Sequence, residues 1–182
     1  MRFDKGHIMS IQNNNFFALF DLPIDFLIDK NTLKNRFLAL QRKYHPDNSQ
    51  TNDAETNASL INHAYNILIC DDRRAIYLLE LANIDAQIGA SIDDSVFLGE
   101  MMEVRIDLED ANTLTDVITL QTVVDEKLAY HCQAFYQAYQ QKNWQIAVQN
   151  AQKLHFLSNL RNSITIKQSS FNQSDDVDDL YV

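Results

Sequence analysis

Apolar residues recur along most of the chain at the spacing of an amphipathic helix. In residues 31–44 they follow one another at intervals of four, three and four, which traces one stripe along a helix. The same intervals return in residues 93–111. We therefore expect an all-α protein. The stripes are Leu33, Phe37, Leu40 and Tyr44 in the first segment, and Phe97, Met101, Val104 and Leu108 in the second.

The N-terminal half begins with two predicted helices. A short apolar block at 14–22 is expected to form a short helix that packs through Phe17 and Phe20. The first amphipathic helix described above follows, and either Asp29 or Asn31 is suited to cap it, because both residue types accept hydrogen bonds from free helix amides.

Two further helices complete this half. The polar run 47–57 is rich in residues that favour turns, so it is predicted to be a loop. Helical spacing resumes from Ile61 and again over 72–83, where Asp71 or Asp72 is the expected cap.

The C-terminal half predicts a helical bundle. The glycine-containing segment 84–92 is the best candidate for a boundary. Three long amphipathic segments follow, at about 93–111, 114–141 and 143–167, and their short connections are typical of antiparallel helices. The polar, acidic tail at 168–182 is expected to fray.

Composition narrows the class of protein further. The 182 residues include only 3 glycines and 2 prolines, too few for a turn-rich sandwich, barrel or doubly wound sheet. Neither glycine-rich phosphate-binding motif occurs. The two cysteines, Cys70 and Cys132, are too few for a disulfide scaffold or a four-cysteine site. We therefore expect no enzyme, no resident cofactor and no metal site.

Charge divides the chain into two parts. The formal net charge is −10, which argues against a nucleic-acid partner. Residues 1–80 carry a net charge of −1 and residues 81–182 one of −9, which indicates two units with different partners. We expect no membrane span and a cytoplasmic location, since the chain has neither a long apolar run nor the apolar core of a secretion signal.

The strongest local motif is Tyr44-His45-Pro46-Asp47. Pro46 is expected to end the preceding helix because proline lacks an amide hydrogen. Basic side chains lie mostly off the apolar stripe of that helix and give it a basic outer surface. They are Lys34, Arg36, Arg42 and Lys43.

This arrangement resembles a J-domain, and the wider chain is similar to the HscB family of J-type co-chaperones. The similarity covers about residues 14–166 and keeps its blocks in the family's order. It implies an L-shaped protein, with a J-domain followed by a three-helix bundle. The matching blocks are 17–23, 41–47, 73–79, 97–105 and 154–160.

The resemblance implies a two-ended adaptor, which is expected to be a monomer. Its J-domain would engage an HscA-type chaperone, a relative of DnaK, and stimulate ATP hydrolysis by that chaperone. Its bundle would bind an iron–sulfur scaffold protein of the IscU type. The implied organisation is an extension at 1–13, the J-domain at 14–83, a linker at 84–92, the scaffold-binding bundle at 93–167 and an acidic tail at 168–182.

On the chaperone side, the implied contacts centre on the motif loop. Asp47 supplies a carboxylate able to pair with a partner arginine, and Pro46 stiffens the loop. His45 can donate or accept a hydrogen bond. The four basic residues of the preceding helix would steer the domain toward an acidic groove.

On the scaffold side, the first bundle helix has a second apolar stripe at Leu98 and Met102. Phe156, on the third helix, points away from the core line of that helix. The alternative is that these apolar residues only widen the core. The full set at positions that the family uses for scaffold binding is Leu98, Gly99, Met102, Glu103, Arg105 and Phe156.

Three features depart from the family pattern. Gly99 stands where a larger apolar residue is usual, and Asn48 stands where a basic residue is common. The loop between Asp47 and Ile61 is short. The zinc knuckle of eukaryotic relatives is also missing, which favours a bacterial-type member.

Two other functions remain open at this stage. One is a general J-protein serving the main DnaK-type chaperone, although the chain lacks the Gly/Phe-rich linker and the Cys-x-x-Cys repeats usual in such proteins. The other is a helical interaction module in which the His-Pro-Asp motif is accidental.

Overall fold

The regular structure of this protein is α-helical. The computed structural model describes residues 15–44 and 54–178, and every regular element in those ranges is an α-helix, which confirms the expected fold class. The chain divides into two compact units, Met1–Asp85 and Ala86–Val182. The first contains α1 (Phe16–Leu19), α2 (Lys30–Lys43), α3 (Ala54–Ile69) and α4 (Asp71–Leu81), and the second contains α5 (Ser95–Asp110), α6 (Leu114–Gln140) and α7 (Trp144–Asp178).

No helix within residues 15–44 and 54–178 is both long enough and apolar enough to cross a bilayer.

The first unit has its own apolar core. Asn15 caps α1 by accepting a hydrogen bond from the Ala18 amide at 3.0 Å, and Asp29 caps α2 through the Asn31 amide at 2.9 Å. Phe17 is fully buried, as the sequence predicts. Buried side chains from every element of the unit meet here: Phe17, Leu19, Phe20, Phe26, Leu33, Ile61, Ala64, Leu68, Ala75, Leu78 and Leu79.

Two element boundaries in this unit differ from the sequence prediction. The third helix begins at Ala54, inside the stretch predicted to be a loop, because alanine is the strongest helix former and two alanines fall in its first two turns. The cap of α4 is Cys70 rather than an aspartate. Asp71 instead directs its carboxylate at Lys30, 3.0 Å away, and at Arg74.

The second unit is a three-helix bundle. Thr113 and Asp116 form a reciprocal capping box at the start of α6. Only three residues separate α6 from α7, and the cross-contacts Asp125–Arg161 and His131–Asn150 run in opposite order along the two helices, as antiparallel packing requires. Its core contains the predicted stripe of α5 together with apolar side chains of α6 and α7. These residues include Phe97, Met101, Val104, Leu108, Val117, Val124, Leu157, Leu160 and Ile164.

The last helix is longer than the sequence predicts. The expected end near residue 167 is wrong for this element, since α7 runs to Asp178. Phe171 packs against the bundle core, and the hydroxyl of Ser169 donates to the Thr165 carbonyl at 2.9 Å. The contact of Phe171 with the core stabilises the helix where its sequence is mostly polar.

Candidate functional site

The candidate chaperone-facing surface lies on α2. Lys34, Arg42 and Lys43 are exposed, as expected for a basic outer face. The Lys43 ammonium lies 4.9 Å from the centre of the Tyr44 ring. Three of the four predicted basic residues are thus accessible to a partner, and they carry the positive charge of this face.

Arg36 has a different position from the one expected. Its guanidinium is half-buried and donates to the backbone carbonyls of Phe20, at 2.5 Å, and Asp21. These carbonyls belong to the turn after α1, where Asp21 has a φ of 55°. The prediction that Arg36 faces outward with the other basic residues is therefore wrong, because its charge is committed to holding this turn against α2.

The motif residues His45, Pro46 and Asp47 lie outside the residues that the structure describes. The described helices on either side are tied together. The Phe37 and Tyr65 rings stack with their centres 4.0 Å apart, and the Gln41 amide donates to Asn62 at 2.9 Å. The C-terminal part of α2 is therefore held close to α3.

The candidate scaffold-facing surface begins on α5. Leu98, Met102 and Arg105 are one turn apart in succession and lie along one side of the helix. Leu98 is half-buried against the bundle core, whereas Met102 is 59% exposed. Gly99 and Glu103 are exposed beside them. A mixed apolar and charged strip results, next to the core and open to solvent.

The third bundle helix contributes an aromatic ring to this strip. Phe156 is half-buried, and its ring meets that of Phe97 edge to face, with centres 5.7 Å apart. The Arg105 guanidinium lies 4.9 Å from the centre of the Phe156 ring. Of the predicted residues, Arg105 and Phe156 are in direct contact although they lie on different helices. The contact is a cation–π pair that orients both side chains.

The sequence left open the alternative that the apolar residues of this strip only widen the bundle core. Leu98 and Phe156 do pack against that core, so this reading holds for part of each side chain. It does not hold for Met102, which is mostly in water. The strip is a core edge that continues onto the surface.

Sequence reasoning missed one residue of this strip. Ile106 is 49% exposed and stands one turn after Met102 on the same side of α5. Its signal was present in the spacing, because residues four apart share a helix face. We define the client surface as Leu98, Gly99, Met102, Glu103, Arg105, Ile106 and Phe156.

Two family models match the chain in the order of its units. A DnaJ domain matches residues 16–77, and the HSCB C-terminal oligomerisation domain matches residues 93–165. The first match covers the unit that holds the basic face, and the second covers the bundle that holds the client surface.

Known proteins match over most of the chain. The co-chaperone protein HscB homolog of Acinetobacter baylyi is 36% identical over 169 residues, which span 89% of this chain and 99% of the relative. Chaperone HscB from Vibrio cholerae has a similar structure, with a TM-score of 0.71, 32% identity and coverage of 86% and 98% of the two chains. Human co-chaperone protein HscB matches with a TM-score of 0.74 and 29% identity, over 85% and 82%. The chain therefore belongs to the HscB family of J-type co-chaperones.

Proposed function

We propose that this co-chaperone of iron–sulfur cluster assembly binds an IscU-type scaffold protein through the client surface and delivers it to an HscA-type chaperone. The J-domain then stimulates ATP hydrolysis by that chaperone. The observation that carries the proposal is the contact of Arg105 with Phe156 beside exposed Met102, on the unit that matches the family's C-terminal domain.

The client surface has the make-up of a protein-binding site. Aromatic rings, methionines and arginines are enriched in interfaces, and pre-oriented side chains lose less entropy when a partner docks. Phe156 is held by Phe97 on one side and by Arg105 on the other. Met102 and Ile106 supply exposed apolar area. We infer that Phe156 is the anchor and that Glu103 and Arg105 select the partner by charge.

The J-domain needs no chemistry of its own to stimulate another protein's ATPase. It has only to bind the reactive conformation of the chaperone more tightly than the resting one. A tenfold acceleration corresponds to about 1.4 kcal/mol of such preference. Asp47 pairing with an arginine of the chaperone is of that magnitude, and Lys34, Arg42 and Lys43 speed the encounter with an acidic groove.

Scaffold binding is tested by calorimetry with a purified IscU-type scaffold and single variants. We expect Phe156→Ala and Met102→Ala each to weaken binding about tenfold, equal to about 1.4 kcal/mol. Ile118→Ala is the matched control, because Ile118 is 47% exposed on α6 and lies outside the client surface. An equal loss in the control, or no loss in either variant, would refute the client surface.

We propose that the protein is a monomer. Light scattering on the same samples tests this by measuring the molar mass in solution.

A further inference from the structure

A cleft of about 450 Å³ opens among the three helices of the second unit. It lies on another side of α5 from the client surface. The Phe97 ring separates the two, because it meets Phe156 edge to face on one side and His131 edge to face on the other. The cleft takes no part in the proposed function.

His131 is one of the residues that line the cleft, and its protonation pattern follows from its neighbours. The residue is 7% exposed, and its Nδ1 lies 2.8 Å from Oδ1 of Asn150. The Asn150 amide nitrogen donates to the Ile146 carbonyl at 2.8 Å, so the amide oxygen faces the ring. Nδ1 therefore carries the proton, and Nε2 carries a lone pair.

That lone pair is available to a ligand. In the described part of the chain, Nε2 of His131 makes no hydrogen bond, and no fully buried side-chain nitrogen or oxygen lacks a partner. Nε2 is therefore not fully buried, and its residue is one of those that line the cleft. Burial lowers the pKa of His131, which keeps the ring neutral near pH 7.

The charged groups around the cleft favour a cation over an anion. Lys127 pairs with Glu100 and Lys153 with Asp94, each at 2.5 Å, so both ammonium groups are already neutralised. Glu126 also lines the cleft, and among the described residues it has no ion-pair partner. The lining carries two lysines and three carboxylates, a formal net charge of −1.

We propose that this cleft binds the side-chain ammonium group of a lysine from a partner protein. Nε2 of His131 accepts one of its N–H bonds, and Glu126 supplies the opposite charge. The ring of Tyr130, 69% exposed and 5.0 Å from that of His131, lies against the methylene stem. An anion is disfavoured here, because the lone pair of His131 and the carboxylate of Glu126 would both repel it.

The proposal is tested by following the His131 ring signals by NMR during titration with N-acetyl-lysine N-methylamide. We expect a saturable shift, with a dissociation constant of about 10 mM or below, and no saturable shift with the norleucine analogue, which lacks the ammonium group. Inorganic phosphate, zinc chloride and 1,4-diaminobutane are titrated in parallel. Saturation by phosphate or zinc alone, or tighter binding of the diamine than of the lysine probe, would overturn the proposal.

A charge-matched pair of variants checks the position of the site. Glu126→Gln should weaken binding of the lysine probe about fivefold, the size of one partly exposed ion pair. Glu109→Gln removes the same charge from the same unit outside the cleft, and should leave binding unchanged. Equal effects of the two variants would show a general charge effect and no site.

Acidification gives a second readout. Burial lowers the pKa of His131, and when the pH falls through that pKa the ring gains a proton and the lone pair is lost. The charged groups that face it are Glu126 and Lys127 on α6, Asp94 and Glu100 at α5, and Lys153 on α7. Binding of the lysine probe should fall in step with protonation of His131. Binding that stays constant while the NMR signals report protonation of the His131 ring would contradict the proposal.

Discussion

Two adjacent arginines show how a buried charge differs from an exposed one. Arg74 is 3% exposed, and its guanidinium donates to the Phe26 carbonyl at 2.8 Å and to the Leu68 carbonyl. It also pairs with Asp71. Although burial alone would raise the pKa of Asp71, Arg74 and Lys30 outweigh it and hold that pKa below the usual value. The neighbouring Arg73 is exposed.

This difference between adjacent arginines gives a stability test. Arg74→Met should lower the free energy of unfolding by about 3 kcal/mol, because two buried carbonyls lose their donor and an ion pair is broken. Arg73→Met should change it by less than about 0.5 kcal/mol. Urea denaturation measures both, and equal losses would contradict the buried role of Arg74.

The same residues mark the limit of what the sequence could predict. The periodic spacing of apolar residues identifies Leu33 and Phe97 as core residues without knowledge of the tertiary structure. It cannot show that Arg36 and Arg74 turn toward carbonyls, because these contacts depend on how separate elements pack together. The contact between Arg105 and Phe156 was likewise hidden, since it joins two helices more than fifty residues apart.

At the scale of elements, the predicted helices were confirmed while several of their ends were not. The stripes determine which face is buried, so α5, α6 and α7 could be placed in advance. The ends of the helices depend instead on single residues within polar sequence. Helix α3 starts at Ala54 within a polar run, and α7 continues because Phe171 packs against the core. Polar composition alone did not show either boundary.

Gly99 lowers the stability of α5, because glycine has a low helix propensity. A Cβ at this position meets no atom within 4 Å, so Gly99→Ala should stabilise the protein by about 1 kcal/mol through helix propensity. Gly99→Met should also tighten scaffold binding by adding apolar area to the client surface. Gly89→Ala, at a φ of +93°, is the contrasting control and should destabilise. Denaturation and calorimetry measure these effects, and a destabilised Gly99→Ala would contradict the open geometry.

The extra length of α7 is tested by a proline. Ser169→Pro removes an amide donor and clashes with the Thr165 carbonyl, so it should lower the free energy of unfolding by up to about 3 kcal/mol. Ser169→Ala should cost less than about 0.5 kcal/mol. Urea denaturation compares them, and a neutral proline would mean that the helix ends before this residue.

At the scale of the whole molecule, the two proposed binding surfaces differ in charge. The nearly neutral N-terminal half carries the exposed basic face of α2, whereas the acidic half carries an apolar strip whose one cation is Arg105. Each unit has its own buried core. We therefore expect a substitution on one surface to leave the other surface functional, as the proposed adaptor role requires.

The most direct test of this account is single-turnover ATP hydrolysis by an HscA-type chaperone with its IscU-type scaffold present. We expect the wild-type protein to accelerate hydrolysis, His45→Gln to abolish the acceleration while scaffold binding persists, and Phe156→Ala to lose only the part that depends on the scaffold. No acceleration by the wild-type protein, or acceleration of a general DnaK-type chaperone alone, would contradict the proposed role.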